Sequence, residues 1–304
     1  MGEKMKSNSL SRFHAQSFSD KAFDIFNYVL LGLIALCVLY PLYFIVIASF
    51  SDPVAINNGE VVFWIKGFNV TGYEKIFENT KIWRSYANTI FYTVVGTTIQ
   101  IALTMMFAYP LSRKEFCLRN PLMFLAMFTM YFQGGMIPTY LWMAQLKLYN
   151  TRLVILLLPA INVFNLIIAV NYLKNNIPEE LFEAASVDGL GHIQYFIKII
   201  LPLSQTIIVV LILYYGVAHW NEFMNGLIYL RDEKLYPLQL TLRGILLQNQ
   251  ASGLGDVDSM VEQQKAAELI KYGLIIVSTL PVLVVYPFLQ KHFAKGVMIG
   301  SVKG

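Results

Sequence analysis

Residues able to hydrogen-bond, stack or carry charge are scarce in the apolar stretches of this chain, and where they occur their spacing is regular. Thr89, Thr93, Thr97, Gln100 and Thr104 follow intervals of 4, 4, 3 and 4, which places all five within about 80° on one helix face. A stripe of hydroxyls and an amide is costly against hydrocarbon, so it must face protein or water. Bonding between helices and lining of an aqueous path both remain open for it. Asn162 and Asn165 lie one turn apart, and Tyr215, His219 and Glu222 share a second face with Trp220 and Asn221 beside them. Amides, hydroxyls and aromatic faces are the groups that bind a hydroxyl-rich solute. Trp220 and the tyrosines suit an aromatic belt at a membrane boundary equally well. His219 suits packing better than a proton relay, and Glu222, at the edge of its apolar run, suits a gate or a folding contact.

Catalytic constellations are missing. The chain has no G-x4-GK[ST] phosphate loop, no HExxH and no G-x-S-x-G, so it has no means of hydrolysing ATP alone and no recognisable nucleophile or zinc site. His14, His192, His219 and His292 are too scattered for a metal site, and none is expected. Two cysteines, Cys37 and Cys117, exclude a disulfide framework and any CxxC chemistry.

The elements that carry these residues are set by composition. Of 304 residues, 56% are hydrophobic and 14% charged, against about a quarter charged in a soluble domain. Six runs without Lys, Arg, Asp or Glu cover residues 28–50, 85–112, 120–146, 153–173, 199–221 and 272–290. Each matches the roughly twenty residues a helix needs to cross a bilayer, and none shows the alternation of barrel strands. The chain therefore reads as an all-α membrane protein of six spans. Residues 1–27 form a leader, 28–290 the bundle and 291–304 a tail. The first run is too long for a signal-peptide core and is expected to be retained. Gly134 and Gly135 suit a break or a close helix crossing, packing being the preferred reading. Pro41, Pro110, Pro138, Pro159 and Pro281 are expected to kink their helices.

Six spans put both termini on one side. Lys and Arg divide almost evenly between the two faces, so the positive-inside rule rests on the short connection 113–119, "RKEFCLR", which favours cytoplasmic termini. The small net charge of +4 gives no reason to invoke nucleic acid. The longest connection, 231–271, ends in "DSMVEQQKAAELIKYG", rich in helix formers that suit a run into the last span.

On that orientation residues 174–198 face the cytoplasm. Pro178, Glu179 and Glu180 suit a first helical turn, Asn175 or Asn176 a cap, and Gly189 a left-handed stop. A short helix over 178–188 is expected, with Leu181, Ala184 and Ala185 on one side. Ile193, Phe196, Ile197 and Ile200 then continue an apolar face toward Pro202. Acidic residues at 179, 180, 183 and 188 argue against a helix resting on lipid headgroups, which would carry Lys or Arg.

The stretch 183–202, "EAASVDGLGHIQYFIKIILP", matches EAA-x3-G-x9-I-x-LP at every position and so resembles the signature of ABC importer permeases. "WNEFMNGLIYLRDEKLYPLQLTLR", "FQGGMIPTYLW" and the ending "PFLQKHFAKGVMIGSVKG" are similar to the carbohydrate-uptake, maltose-type branch, within it to permeases for alginate, pectic fragments or glycans. The resemblance implies that 178–188 is a coupling helix between the fourth and fifth spans. Glu183, Ala184, Ala185, Asp188 and Gly189 would contact an ATPase subunit. It also implies a tail, Ser301, Val302, Lys303 and Gly304, that enters the ATPase interface, where a solvated end is the alternative. The implied partners are a second homologous permease, two ABC ATPase subunits that bind ATP and Mg, and an external solute-binding protein. No cofactor is expected in this chain. The cargo would be an oligosaccharide and the location a bacterial plasma membrane. A permease of the same type for a non-sugar solute is the alternative; a channel or secondary transporter would require charged groups that the runs lack.

Overall fold

The computed structural model describes residues 18–251, 270–285 and 287, and among them every regular element is helical, with no strand. The expected tail and residues 1–17 lie outside the described residues, as does most of the stretch 258–273 expected to run into the last span. The elements are α1 (Phe18–Ser49), α2 (Pro53–Asn57), α3 (Thr71–Glu78), α4 (Thr80–Ser112), α5 (Arg119–Tyr131), α6 (Met136–Gln145), α7 (Arg152–Leu157) and α8 (Val163–Asn176). They continue with α9 (Glu180–Val187), α10 (His192–Leu203), α11 (Gln205–Trp220), α12 (Met224–Tyr229), α13 (Leu238–Ala251) and α14 (Ile270–Val285).

The six apolar runs are helical where described, yet three are not single rods. Among the described residues, only α1, from Asp20, and α4 are each long and apolar enough to cross a membrane as one helix. The third run breaks at residues 132–135, where Gly135 takes a φ of 87° that a side chain would resist. Nothing lies within 4 Å of a side-chain carbon built on Gly135, and one on Gly134 would meet only Pro138 of the same segment, at 3.9 Å, so among the described residues this glycine pair marks a break and not the close crossing preferred from sequence. The fourth run breaks around Pro159, after which Asn162 caps α8 by accepting from the backbone N–H of Asn165 at 3.2 Å. The fifth bends by 78° at Ser204, just after Pro202, which lacks an N–H to continue the ladder. A π-helical turn, Phe196–Ile200, precedes the bend. Among the prolines expected to kink helices, Pro41 and Pro110 lie inside them. Pro138 falls in the first turn of α6, where it is tolerated, and Pro159 lies in the break itself.

Helix α4 is the central post. It packs most extensively against α11 and α8. A core at its C-terminal end joins Met105, Tyr109, Leu166, Val170, Tyr195 and Leu211. A second cluster around Tyr92, Val154, Ile155 and Tyr229 fixes α7 and α12, and a third around Ile82, Trp220, Leu238 and Leu274 fixes α13 and α14. Helix α1 stands apart: its side chains are largely exposed along its length, as suits a lipid-facing helix, and Ile47, Ala48 and Ser49 at its end are buried. The segment after α1 folds back along it, with the hydroxyls of Tyr40 and Tyr43 donating to the carbonyls of Val62 and Phe63. Those bonds satisfy backbone that has no ladder of its own.

Candidate functional site

Two places concentrate the polar residues: the short helix α9 with its supports, and the seam between α4 and α11.

Helix α9 begins at Glu180, after Glu179 at the cap position, slightly later than the sequence suggests. Neither Asn175 nor Asn176 caps it. Both belong to α8, whose ladder runs on through them, and the Asn176 amide turns back to donate to the Tyr172 carbonyl at 2.9 Å. The stop is as expected. Gly189 has a φ of 79°, its N–H donates to the Ser186 carbonyl at 3.0 Å, and the Leu190 N–H donates to the Ala185 carbonyl at 2.9 Å. This pair of bonds is the Schellman arrangement, which satisfies carbonyls the helix end would leave open.

The underside of α9 is built on an aromatic and cationic stack. Phe182 lies parallel to His192 at 5.0 Å between ring centroids and edge-on to Tyr195 at 5.1 Å. The Arg113 guanidinium sits 4.0 Å from the Phe182 centroid. Lys114 pairs with Glu179 at 3.1 Å. The "RKE" connection thus ties the end of α4 to the start of α9, a function beyond its charge count. Ala185 is buried at 5% exposure against the first core. Among the five residues expected to meet a partner, Glu183, Ala184, Asp188 and Gly189 are exposed, whereas Ala185 faces the body of its own chain. Leu181 and Ala184 are likewise exposed, so the side shared with Ala185 in the sequence reading is divided. Val187, 88% exposed, was not singled out from sequence and is the most prominent apolar group on the outer face. The apolar face foreseen for the next segment is also divided. Phe196 and Ile200 pack inward, but Ile193 and Ile197 are exposed, and a π turn spans Phe196–Ile200.

The α4 stripe separates into two classes. Thr89 accepts from the Leu238 N–H at 2.8 Å, Gln100 donates to the Pro159 carbonyl at 2.6 Å, and Thr104 shares a 2.7 Å bond with the Tyr215 hydroxyl. Each serves a helix start, a helix break or a neighbouring helix, which is the protein-facing role. Tyr215 also accepts from the Asn162 N–H at 3.4 Å, so α4, α8 and α11 meet at one knot. Thr93 and Thr97 differ. Their hydroxyls have no hydrogen-bond partner among the described residues, and both line a cavity of about 740 Å³ between α4, α11 and α14 whose walls are otherwise almost entirely apolar.

His219 is 3% exposed, its Nε2 lacks a partner, and its ring lies against Gly96 so closely that a side-chain carbon there would overlap it. It is a packing residue at the α4–α11 crossing. Trp220 does not stand free in a belt: its indole N–H donates to the Ser278 carbonyl at 3.0 Å and its ring meets Tyr86 edge-on at 5.7 Å. Glu222 accepts from the Asn225 N–H at 2.8 Å and side-chain amide at 2.6 Å, and so begins α12. Asn221 is exposed, with its amide bonded to the Val217 carbonyl, and Asn165 is 5% exposed. Tyr215, His219 and Glu222 thus each engage a different neighbour: Thr104, Gly96 and Asn225. No group of three or more potential metal ligands occurs among the described residues.

No family model matches the chain. The polygalacturonan/rhamnogalacturonan transport system permease protein YtcP of Bacillus subtilis is 40% identical over 287 residues, 94% of this chain and 99% of that protein. Protein LplC of the same organism is 39% identical over 284 residues, covering 93% of this chain and 96% of LplC. Among solved structures, a bacterial ABC transporter involved in the import of the acidic polysaccharide alginate superposes with a TM-score of 0.84 and 34% identity. The match covers 91% of this chain and 99% of that one.

Proposed function

This chain belongs to the permease subunits of carbohydrate ABC importers, and on that premise we propose that it supplies one half of a six-plus-six-span pore, with α9 as the element a separate ATPase moves. It is not itself an enzyme. A second homologous permease would complete the pore, two ATPase subunits carrying ATP and Mg would dock beneath it, and an external binding protein would deliver the cargo. The cargo on this reading is an oligosaccharide of the kind named for the relatives, fragments of acidic polysaccharides. The assembly would lie in a bacterial plasma membrane with both termini cytoplasmic, and the tail 301–304 would reach the ATPase interface.

The observation that carries this reading is the construction of α9. It is stopped by a left-handed glycine, braced from below by Arg113 against its own Phe182, and presents Glu183, Ala184, Val187 and Asp188 outward. A short rod held at both ends transmits force as a unit, and a partner whose contacts differ between two states drives the spans attached to it. Thr93 and Thr97, which line the α4–α11–α14 cavity, are proposed to face the path. Uptake of labelled oligogalacturonate or oligoalginate by cells expressing the complete system tests the reading. Loss of uptake on deletion of the ATPase gene supports it, and persistence overturns it.

A further inference from the structure

A second cavity, of about 490 Å³, lies between the end of α4, the start of α5, the end of α8, the start of α9 and one side of α10, away from the α4–α11–α14 cavity. Arg113, Lys114, Arg119 and Lys174 line it, against two carboxylates, Glu179 and Glu180. Lys114 is paired with Glu179, and Arg113 with Glu115 outside the lining. The side chains of half-buried Arg119 and exposed Lys174 have no hydrogen-bond or ion-pair partner among the described residues. Two further groups in the wall are unmet: the Tyr195 hydroxyl, on a residue with 0% exposure, and Nε of Arg113.

Every unmet group here can donate a hydrogen bond, and guanidinium and ammonium groups only donate. The Tyr195 hydroxyl and Arg113 Nε are buried donors without acceptors, which is costly, and even with Glu115 counted the four cations exceed the three carboxylates, leaving the cavity and its rim net positive. The missing component is an acceptor with negative charge and several oxygens. We propose that this cavity binds a phosphate-type oxyanion, carried either by an anionic lipid headgroup or by a small soluble phosphate. The position suits a headgroup, because the cavity opens where four apolar runs end, the level at which basic pockets between spans hold anionic lipid. The bound anion would link Arg119 of α5 and Lys174 of α8 to the Arg113 support under α9. It would therefore stiffen the mounting of that helix without touching the outer face that meets a partner. The site stands on its own geometry and does not depend on α9 docking to an ATPase.

The test uses the complete transporter in nanodiscs of phosphatidylcholine alone, of phosphatidylcholine with phosphatidylglycerol, and of phosphatidylcholine with millimolar inorganic phosphate. Chloride and acetate controls are run at equal ionic strength. The thermal midpoint is read alongside native mass spectrometry of retained lipid. A rise with phosphatidylglycerol, or with phosphate, over both controls identifies the source. The Arg119→Gln, Lys174→Gln double variant, altering only partnerless side chains, should weaken that binding about tenfold or more. No rise in either arm, an equal rise with acetate, or an undiminished rise in the double variant each overturns the proposal.

Discussion

The Arg113 guanidinium lies 4.0 Å from the centroid of the Phe182 ring, so the end of the central helix α4 bears directly on the underside of α9. A cation over an aromatic face contributes about 0.5 to 2 kcal/mol, more as water is excluded. With the Lys114 to Glu179 pair beside it, this contact joins the surface helix to the bundle core. Arg113→Gln should leave assembly intact but lower the sugar imported per ATP hydrolysed several-fold, as measured in proteoliposomes. An unchanged ratio would show that α9 needs no support from α4.

Gly189 supplies the left-handed stop at a φ of 79°. A β-branched residue there costs roughly 1 to 2 kcal/mol and opens the Schellman bonds. Gly189→Val should insert normally but lose the ATPase on co-purification, while Gly189→Asn, which tolerates this conformation, should retain it. Equal retention by both would separate docking from the helix stop.

At the α4–α11 crossing the Gly96 backbone meets the His219 ring with no room for another carbon. Small residues allow such approach in membranes. Gly96→Ala should lower the thermal midpoint in detergent, and His219→Ala in the same chain should restore part of the loss. Additive losses would mean that the two residues do not oppose each other in the folded protein.

The divided stripe on α4 predicts divided phenotypes. Thr104→Val breaks the bond to Tyr215 and should reduce stability by about 0.6 to 1.7 kcal/mol, with Tyr215→Phe non-additive in a double-mutant cycle. Thr93→Val and Thr97→Val remove hydroxyls that bond nothing among the described residues, so stability should hold while uptake kinetics change. If the pattern is reversed, the assignment of path and glue is reversed with it.

The α9 glycine stop and the helical class were legible in the sequence because each rests on local chemistry: a left-handed glycine, and charge-free runs of bilayer length. The three broken runs were less legible. The break at Gly135, the cap at Asn162 and the bend at Ser204 depend on which neighbour satisfies the freed backbone, as Gln100 does for Pro159. Period alone placed Gln100 and Thr93 on one face but could not tell a bonded amide from an unbonded hydroxyl. Phe182 was recoverable in principle, since it stands three residues before Ala185 on the buried side. Its partner Arg113 is distant in sequence, and no local pattern connects them.

The most direct test of the account is disulfide or short-linker cross-linking from α9 in the assembled transporter, with Cys37 and Cys117 replaced by serine. Val187→Cys, on the exposed face, should cross-link to the ATPase subunit, and Ala185→Cys, buried beneath, should not. Reaction of residue 187 with a membrane-impermeant thiol reagent added outside intact cells, with no cross-link to the ATPase, would contradict the account.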